Sequence, residues 1–192
     1  MSMEGKIVAI SGGASGIGLA TAKLISSRGA TVCIADVDQK ALEGAKFHFT
    51  PLNVPFTVTK VDVTKRSEVE AWIDSIVEKF GRLDGAVNGA GIIGKHHGIT
   101  KLADVEDEEW DRIIAVNLTG LMYCLRAELR KVSDHGSIVN VASIQGVMGT
   151  FFLSAFCDSF QLIWFRFPRK CSIFGKQARR GWINSMYGER SR

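Results

Sequence analysis

The sequence predicts an α/β fold in which helices wind on both sides of one parallel sheet, and three observations lead to this prediction. Short apolar runs bounded by turn residues recur along the chain, which is typical of strands buried on both faces of a sheet. Amphipathic helical patterns separate these runs. Small residues or acids follow the runs, as they do at the ligand-binding edge of an open sheet. We expect this sheet to stop after its fifth strand.

The first apolar run, residues 7–10, leads into a glycine-rich turn. Gly12, Gly16 and Gly18 follow at a spacing that permits a sharp turn and leaves room for a pyrophosphate beside the main chain. A helix that begins near Ser15 or Gly16 would direct free N–H groups and the positive end of its dipole at that phosphate. Taken alone, such a triplet is a weak indication, because many glycine-rich loops bind nothing.

The second apolar run strengthens this interpretation. Residues 31–35 read as a strand that ends in Asp36, about 20 residues beyond the glycines, where a dinucleotide-binding unit carries an acid for the ribose hydroxyls. The carboxylate of Asp36 would repel the 2′-phosphate of NADP. The sequence therefore predicts NAD as the cofactor, with NADP as the open alternative.

The remaining elements follow in order along the chain. Helical patterns cover residues 38–45, 68–80 and 110–129, and strand patterns cover residues 56–61, 86–87 and 137–141. Asp62 and Val63 follow the third strand, where they can contact an adenine ring, although a cap on the next helix is an equally good interpretation of Asp62. A second small-residue turn, which contains Asn88, Gly89 and Ala90, follows the fourth strand.

Composition narrows the class of protein. The chain has 192 residues, of which 46% are hydrophobic, and no uninterrupted apolar run is long enough to span a bilayer. Residues 1–5 lack the pattern of a signal peptide, so we expect a cytoplasmic location. The four cysteines form no CxxC pair, which favours free thiols. His96 and His97 lack the spacing for a shared metal, and we expect no metal site.

Residues 151–192 differ in composition from the rest of the chain. They hold 8 Lys and Arg against 2 Asp and Glu, and 10 of the 17 aromatic residues. We therefore divide the chain into a dinucleotide-binding domain, residues 1–149, and a basic, aromatic-rich tail, residues 150–192, that we expect not to be natively folded. Such a tail can suit nucleic acid or a membrane surface. Because Pro168 and the lack of a helical period count against both, we expect neither partner.

These motifs together resemble the short-chain dehydrogenase/reductases over residues 1 to about 149. The family's TGxxxGxG pattern is matched by residues 11–18 with Ser11 in place of threonine, and its NNAG pattern is matched in shortened form by residues 87–91. Its active-site Asn and Ser are matched by Asn117 and Ser143. The resemblance implies a Rossmann-like fold. It also implies cofactor contacts from Ser11, Gly12, Ser15, Gly16, Ile17, Gly18, Asp36, Asp62, Val63, Asn88, Gly89 and Ala90.

The resemblance further implies a reaction, the transfer of a hydride between nicotinamide and an alcohol or ketone. Ser143 would hydrogen-bond the substrate oxygen, and Asn117 would keep a water in the proton path. The family's proton comes from the tyrosine of a YxxxK motif, but Phe156 and Phe160 stand at the expected spacing here. Because phenylalanine has no proton to transfer, we expect this chain to be inactive.

Two other readings of the chain remain open. The chain can instead be a non-catalytic dinucleotide-binding fragment or a regulatory partner of a full-length homologue. The resemblance also implies that the chain can form a homo-oligomer, as members of the family do.

A change of reading frame would explain the tail. Residues 172–185 can be encoded so that the next frame gives Ala-Tyr-Ser-Ala-Ser-Lys, which contains a YxxxK motif. Codons with the form of a splice donor and a splice acceptor are permitted at residues 149–150 and 160–161. We therefore predict that residues from about Thr150 onward are a translated intron followed by an out-of-frame exon.

Overall fold

A computed structural model of the chain describes residues 2–52, 54–95, 102–142 and 164–166. It contains one sheet, whose strands are β1 Ile7–Ser11, β2 Thr31–Asp36, β3 Phe56–Lys60, β4 Leu83–Asn88, β5 Val132–Asn140 and β6 Trp164–Arg166. The strand order is β3-β2-β1-β4-β5-β6. Strands β1 to β5 pair in parallel, which confirms the predicted fold class.

The helices alternate with the strands. They are α1 Gly16–Ser26, α2 Gln39–Phe49, α3 Arg66–Phe80, α4 Asp107–Ile114 and α5 Leu121–Lys131. A π-helical segment, Ala115–Gly120, joins α4 to α5, so that the long helix predicted over residues 110–129 is continuous and has a widened turn at its centre. Among the described residues, no helix is both long enough and apolar enough to cross a membrane.

Each face of the sheet has its own apolar core. Val8 and Ile10 of β1 pack with residues of α1 and α2, whereas Ile7 and Ala9 pack with residues of α3 and α5. All five residues of β1 are buried. The unbroken apolar run in the sequence follows from this arrangement, because a central parallel strand has no face in contact with water.

The far edge of the sheet has a feature that the sequence did not predict. β6 is a three-residue strand that pairs antiparallel with β5, with Ser137 opposite Arg166 and Val139 opposite Trp164. It lies within the segment assigned to the tail. The division of the chain into a domain and a tail that is not natively folded stays a prediction.

Polar residues end four neighbouring strands at one edge of the sheet. Ser11 ends β1, Asp36 ends β2, Asn88 ends β4 and Asn140 ends β5. In the register of the sheet, Ser11 pairs with Asn88, and Asn88 pairs with Asn140. The strand order reverses between β1 and β4, so the turns that follow these two strands meet. Open α/β sheets bind their ligands in the crevice at such a point.

Candidate functional site

The turn after β1 needs glycine at two positions. Gly12 has a φ of +62°, and a Cβ atom there would lie 2.7 Å from main-chain atoms of Gly89 and Ala90. A Cβ atom on Gly18 would lie 2.1 Å from the carbonyl oxygen of Gly12. Glycine at these positions therefore lets both α1 and the turn after β4 come into contact with the turn after β1.

The start of α1 directs main-chain N–H groups toward open space. The N-cap residue is Ser15, and its side chain forms no capping hydrogen bond within the described part of the chain. The N–H groups of Gly16, Ile17 and Gly18 precede the first intrahelical bond, in which Leu19 N donates to Ser15 O at 2.9 Å. A Cβ atom on Gly16 would meet no described atom within 4 Å. This combination of donors, dipole and space suits a phosphate group.

The turn after β4 is fastened to the turn after β1. The N–H of Gly89 donates to the carbonyl oxygen of Ser11 at 3.0 Å, and the Ser11 hydroxyl donates to Asn88 Oδ1 at 3.2 Å. Ser11 and Asn88 are 1% and 4% exposed. Both were predicted as cofactor contacts, but their side chains lie behind the turns and bond each other. Their contribution in this structure is to hold the two turns together.

A buried polar network extends from Asn88 to β5 and α5. Asn88 Nδ2 donates to Glu128 Oε2 at 2.9 Å and to Asn140 Oδ1 at 3.0 Å. Glu128 is fully buried, and this burial raises its pKa to about 7, although the bond from Asn88 opposes the effect. Burial and then the neighbouring Glu128 carboxylate also raise the pKa of the Cys124 thiol.

Asp36 lies at the end of β2, beside the glycine turn. Its Oδ2 accepts the N–H of Ala14 at 3.2 Å, and its Oδ1 accepts the N–H of Asp38 at 3.2 Å. These two bonds fix the orientation of the carboxylate. Because each carboxylate oxygen can accept more than one hydrogen bond, both oxygens remain able to receive hydroxyl groups.

Asp62 and Val63 lie in the turn after β3. Asp62 Oδ1 accepts from the N–H and the hydroxyl of Thr64 at 3.0 and 2.7 Å, while Glu68 Oε2 accepts the N–H of Asp62 at 2.8 Å. The N-cap residue of α3 is Lys65. Asp62 therefore shapes the turn before α3 and does not itself cap the helix, which removes the alternative that the sequence left open.

Asn117 lies in the π-helical segment and is 4% exposed. Its Oδ1 accepts the N–H of Ile92, and its Nδ2 donates to the carbonyl oxygen of Ile92, both at 2.9 Å. This pair of bonds attaches the segment after β4 to the long helix. π-Helical turns are frequent at functional sites.

Together these segments enclose a cleft of about 440 Å³ at the carboxyl edge of the sheet. Every predicted cofactor contact except Ser11 and Asn88 belongs to its wall. The lining residues are Gly12, Ser15, Gly16, Ile17, Gly18, Asp36, Val37, Val61, Asp62, Val63, Gly89, Ala90, Gly91, Ile92, Val116 and Val141.

The family of the chain follows from comparison with known proteins. The family model described as short chain dehydrogenase matches residues 6–159. The chain belongs to the short-chain dehydrogenase family. The match ends ten residues beyond residue 149, the end of the resemblance predicted from the sequence.

Individual members of the family are similar over the same part of the chain. The short-chain dehydrogenase/reductase ABA4 of Pyricularia oryzae is 59% identical over 150 residues, which cover 78% of this chain and 56% of that protein. The chanoclavine-I dehydrogenase ifgE of Penicillium roqueforti is 46% identical over 153 residues, 74% of this chain and 58% of that protein. The chain thus spans little more than half the length of these relatives.

A solved structure of the family has the same fold. The crystal structure of an NAD⁺-bound xylitol dehydrogenase superposes with a TM-score of 0.76 at 29% identity, and the match covers 83% of this chain and 61% of that one.

Two residues were predicted to act on the substrate, Ser143 and Asn117. Ser143 lies outside the described residues. The phenylalanines at the spacing of the missing YxxxK motif, Phe156 and Phe160, and the loop histidines His96 and His97 also lie outside them. Asn117 is described, and its side chain is bonded as given above. Among the four cysteines, Cys33 and Cys124 are buried free thiols.

Several residues of the site were not predicted from the sequence. Val37, Ile92 and Val116 line the cleft, but isolated apolar residues near strand ends look the same in the sequence as core residues. Glu128 and Asn140 were missed as well. One feature of the sequence could have indicated Glu128. It lies four residues after Cys124, on the same side of the helix, and an acid at a position that faces the core is unusual.

Proposed function

We propose that this chain binds NAD in the cleft and derives from an oxidoreductase that transfers a hydride between nicotinamide and an alcohol or ketone. The observation that carries the proposal is the meeting of the two turns. Gly12 and Ala90 leave no room for a side chain between them, while the space beside Gly16 is open. An extended molecule with a central pyrophosphate fits a cleft built in this way.

The residues of the cleft suit the successive parts of such a cofactor. The N–H groups of Gly16, Ile17 and Gly18 would hold the pyrophosphate, and Asp36 would accept the ribose hydroxyls. Asp62 and Val63 would border the adenine ring. Gly89 and Ala90, in the turn after β4, would contact the cofactor along its length. The negative charge of Asp36 is the reason to propose NAD before NADP.

When bound, the nicotinamide ring would supply the carbon atom that accepts or releases a hydride. We propose that Ser143 hydrogen-bonds the substrate oxygen and that Asn117 keeps a water near it. Both polar atoms of the Asn117 side chain already bond Ile92. Its Oδ1 nonetheless has a second lone pair that can accept a hydrogen bond from water.

Relatives support a small-molecule alcohol or ketone as the substrate class. One is named as a dehydrogenase of chanoclavine-I, and a structural neighbour as a xylitol dehydrogenase with bound NAD⁺. We also propose that the protein is cytoplasmic and that it forms a homo-oligomer of the family's kind.

A second function, a non-catalytic dinucleotide-binding fragment or regulatory partner, is favoured by one observation. Phe156 and Phe160 occupy the spacing at which the family has tyrosine and lysine. The cleft lies in the part of the chain before these residues, so cofactor binding does not depend on them.

A fluorescence titration tests the cofactor proposal. Trp72, which is buried in α3, and Trp110, which is 39% exposed, serve as reporters for added NADH and NADPH. We expect NADH to bind more tightly, and we expect Asp36→Ala to reduce the difference, because the substitution removes both the hydroxyl acceptor and the repulsion of the 2′-phosphate. Asp38→Ala is the matched control, because Asp38 caps α2 and does not line the cleft. Tighter binding of NADPH by the unmodified chain would contradict the proposal.

A further inference from the structure

Glu128 differs from the other buried acid of the described chain in having no cation beside it. Asp84 is buried as well, but Lys6 and Arg82 form ion pairs with it. Glu128 is 1% exposed, and among the described residues its hydrogen-bond partner is the neutral side chain of Asn88. An ionised carboxylate held inside a protein by one amide alone is costly, and the group responds with a raised pKa.

The partner of Glu128 is the residue that joins the two turns of the cleft. Asn88 uses three hydrogen bonds of its side chain: Nδ2 donates to Glu128 and Asn140, and Oδ1 accepts from Ser11. The next residue, Gly89, donates its N–H to Ser11, and Asn88 O accepts the N–H of Val141. One carboxamide therefore links β1 and β5 to β4 where these strands border the cleft.

We propose that Glu128 is a positioning residue for the cofactor cleft: its carboxylate holds Asn88 in the orientation that joins the turns after β1 and β4, and a proton on Glu128 releases it. The proposal rests on the proposed function, because its effect on the cleft is measured as NADH affinity.

The release follows from the number of donors and acceptors in the network. A carboxylate accepts only, and the N–H of Asn88 satisfies it. A protonated carboxyl group carries an O–H that needs an acceptor, and the amide oxygens of Asn88 and Asn140 each already accept one hydrogen bond of the network. If Asn88 turns its oxygen toward the new donor, the hydroxyl of Ser11 loses its acceptor and the side-chain bond between the two turns is lost.

The groups around Glu128 allow its titration to be observed separately. Cys124, on the same helix, stays a neutral thiol near neutral pH, because burial raises its pKa. β1, β4 and β5 present Ser11, Asn88 and Asn140, which do not titrate. α3 contributes apolar side chains to the same core, namely Trp72, Ile73 and Ile76. With the pKa of Glu128 raised to about 7, its charge changes within the range in which the protein can be studied.

The test compares the full chain with Glu128→Gln from about pH 6 to about pH 8. Glutamine has the shape of the protonated acid and supplies a donor at every pH. We expect the unmodified chain to bind NADH roughly fivefold more weakly at the acidic end, and E128Q to bind with the weaker affinity throughout. Glu78→Gln is the control, because Glu78 is exposed on α3, and it should keep the pH dependence of the unmodified chain.

A second measurement on the unmodified chain does not depend on cofactor binding or on the folding of a variant. With ¹⁵N-labelled asparagine, the five asparagines give five pairs of side-chain amide signals. We expect at least one pair to shift with a midpoint near the pKa of Glu128. The absence of any such shift overturns the inference.

The outcomes separate the inference from the proposed function. If E128Q keeps the pH dependence of the unmodified chain, the inference is wrong and NAD binding stands. If the unmodified chain binds neither NADH nor NADPH, the proposed function fails and the effect on the cleft fails with it. The asparagine signals then still decide whether Glu128 controls Asn88.

Discussion

Gly12 and Ala90 approach each other so closely that a methyl group does not fit between them. A Cβ atom built on Gly12 would lie 2.7 Å from both Cα and N of Ala90. The two residues belong to turns that follow different strands, and both line the cleft. The distance between these turns, and hence the width of the cleft, depends on the absence of a Cβ atom at Gly12.

We predict that Gly12→Ala destabilises the fold by about 2 kcal/mol or more, because alanine is strained at a φ of +62° and its Cβ overlaps Ala90. NADH binding should be lost with it. Urea unfolding and the fluorescence titration measure the two effects. Gly44→Ala is the control: Gly44 is exposed within α2 and has space around it, so alanine should stabilise the chain by roughly 0.5 kcal/mol. Equal stabilities of the two variants would contradict the prediction.

A second prediction concerns Asn117. Asn117→Ala removes both hydrogen bonds to Ile92 and leaves the part-buried N–H and carbonyl group of Ile92 without those partners, at a cost of about 1–3 kcal/mol. NADH should also bind more weakly, because Ile92 lines the cleft. Leu118→Ala, at the next position of the same π-helical segment, changes a side chain that is 51% exposed and should have a smaller effect on both. NADH affinity that is unchanged in N117A would show that the attachment of Ile92 does not matter to the cleft.

A third prediction gives the pH dependence due to Asp84. Burial by itself raises the pKa of Asp84, but the N–H of Ile7 and the cations of Arg82 and Lys6 outweigh it and hold the pKa below its usual value. A group with a lowered pKa in the folded state stabilises the fold above its unfolded pKa, and this contribution is lost as the pH falls through the folded pKa. The stability advantage over Asp84→Asn should therefore be present near neutral pH and shrink below about pH 4.

Urea unfolding of both proteins at several pH values measures this difference. Asp74→Asn is the control, because Asp74 is 58% exposed and pairs with Lys131 at the surface, where an ion pair contributes little. An advantage over D84N that persists unchanged in acid would show that the Asp84 charge is not its source.

A fourth prediction is that the chain as printed does not turn over. The loss of a general acid typically lowers a rate by about 10² to 10⁴, and Phe156 and Phe160 stand where tyrosine and lysine are expected. NADH formation with a panel of secondary alcohols measures the rate. The positive control is a chain in which the residues from about Thr150 onward are replaced by those that the restored reading frame encodes. Turnover by the printed chain at the rate of this control would refute the prediction.

A fifth prediction is that the mature transcript does not encode residues 150–192 as printed. The prediction is motivated by the different composition of residues 151–192, which hold 8 Lys and Arg against 2 Asp and Glu. Sequencing of the transcript tests the prediction directly. If the message keeps this frame, and its codons for residues 172–185 give no tyrosine and lysine in the next frame, the tail is a genuine part of the chain.

The sequence predicted the sheet and the glycine turns because local signals coincide there. Asp38 was predicted to begin the second helix, and it caps α2 by accepting the N–H groups of Lys40 and Ala41. The apolar positions of the third helix, Val69, Trp72 and Ile76, are buried as their spacing indicates. In these segments burial and local propensity favour the same structure.

Other features depend on contacts between distant residues and have no local signal. β5 begins at Val132, five residues before the predicted strand, and passes through His135 at a φ of 65° beside a register shift in β4. In α5, Leu125 and Leu129 suggested the buried face. These two residues pack against the core but are only partly buried, whereas Cys124, Ala127 and Glu128 are buried.

The bond between Ser11 and Asn88 joins residues that are 77 positions apart in the chain. A loop of that length has to close before the two turns can meet, and contacts between distant residues form slowly in folding. The strand that carries Ser11 can pair with β2 early, as soon as α1 has formed between them. The cleft, by contrast, comes into existence only when β4 has docked. During synthesis on the ribosome, the N-terminal half of this chain can therefore fold in part before the cleft for a nucleotide is complete.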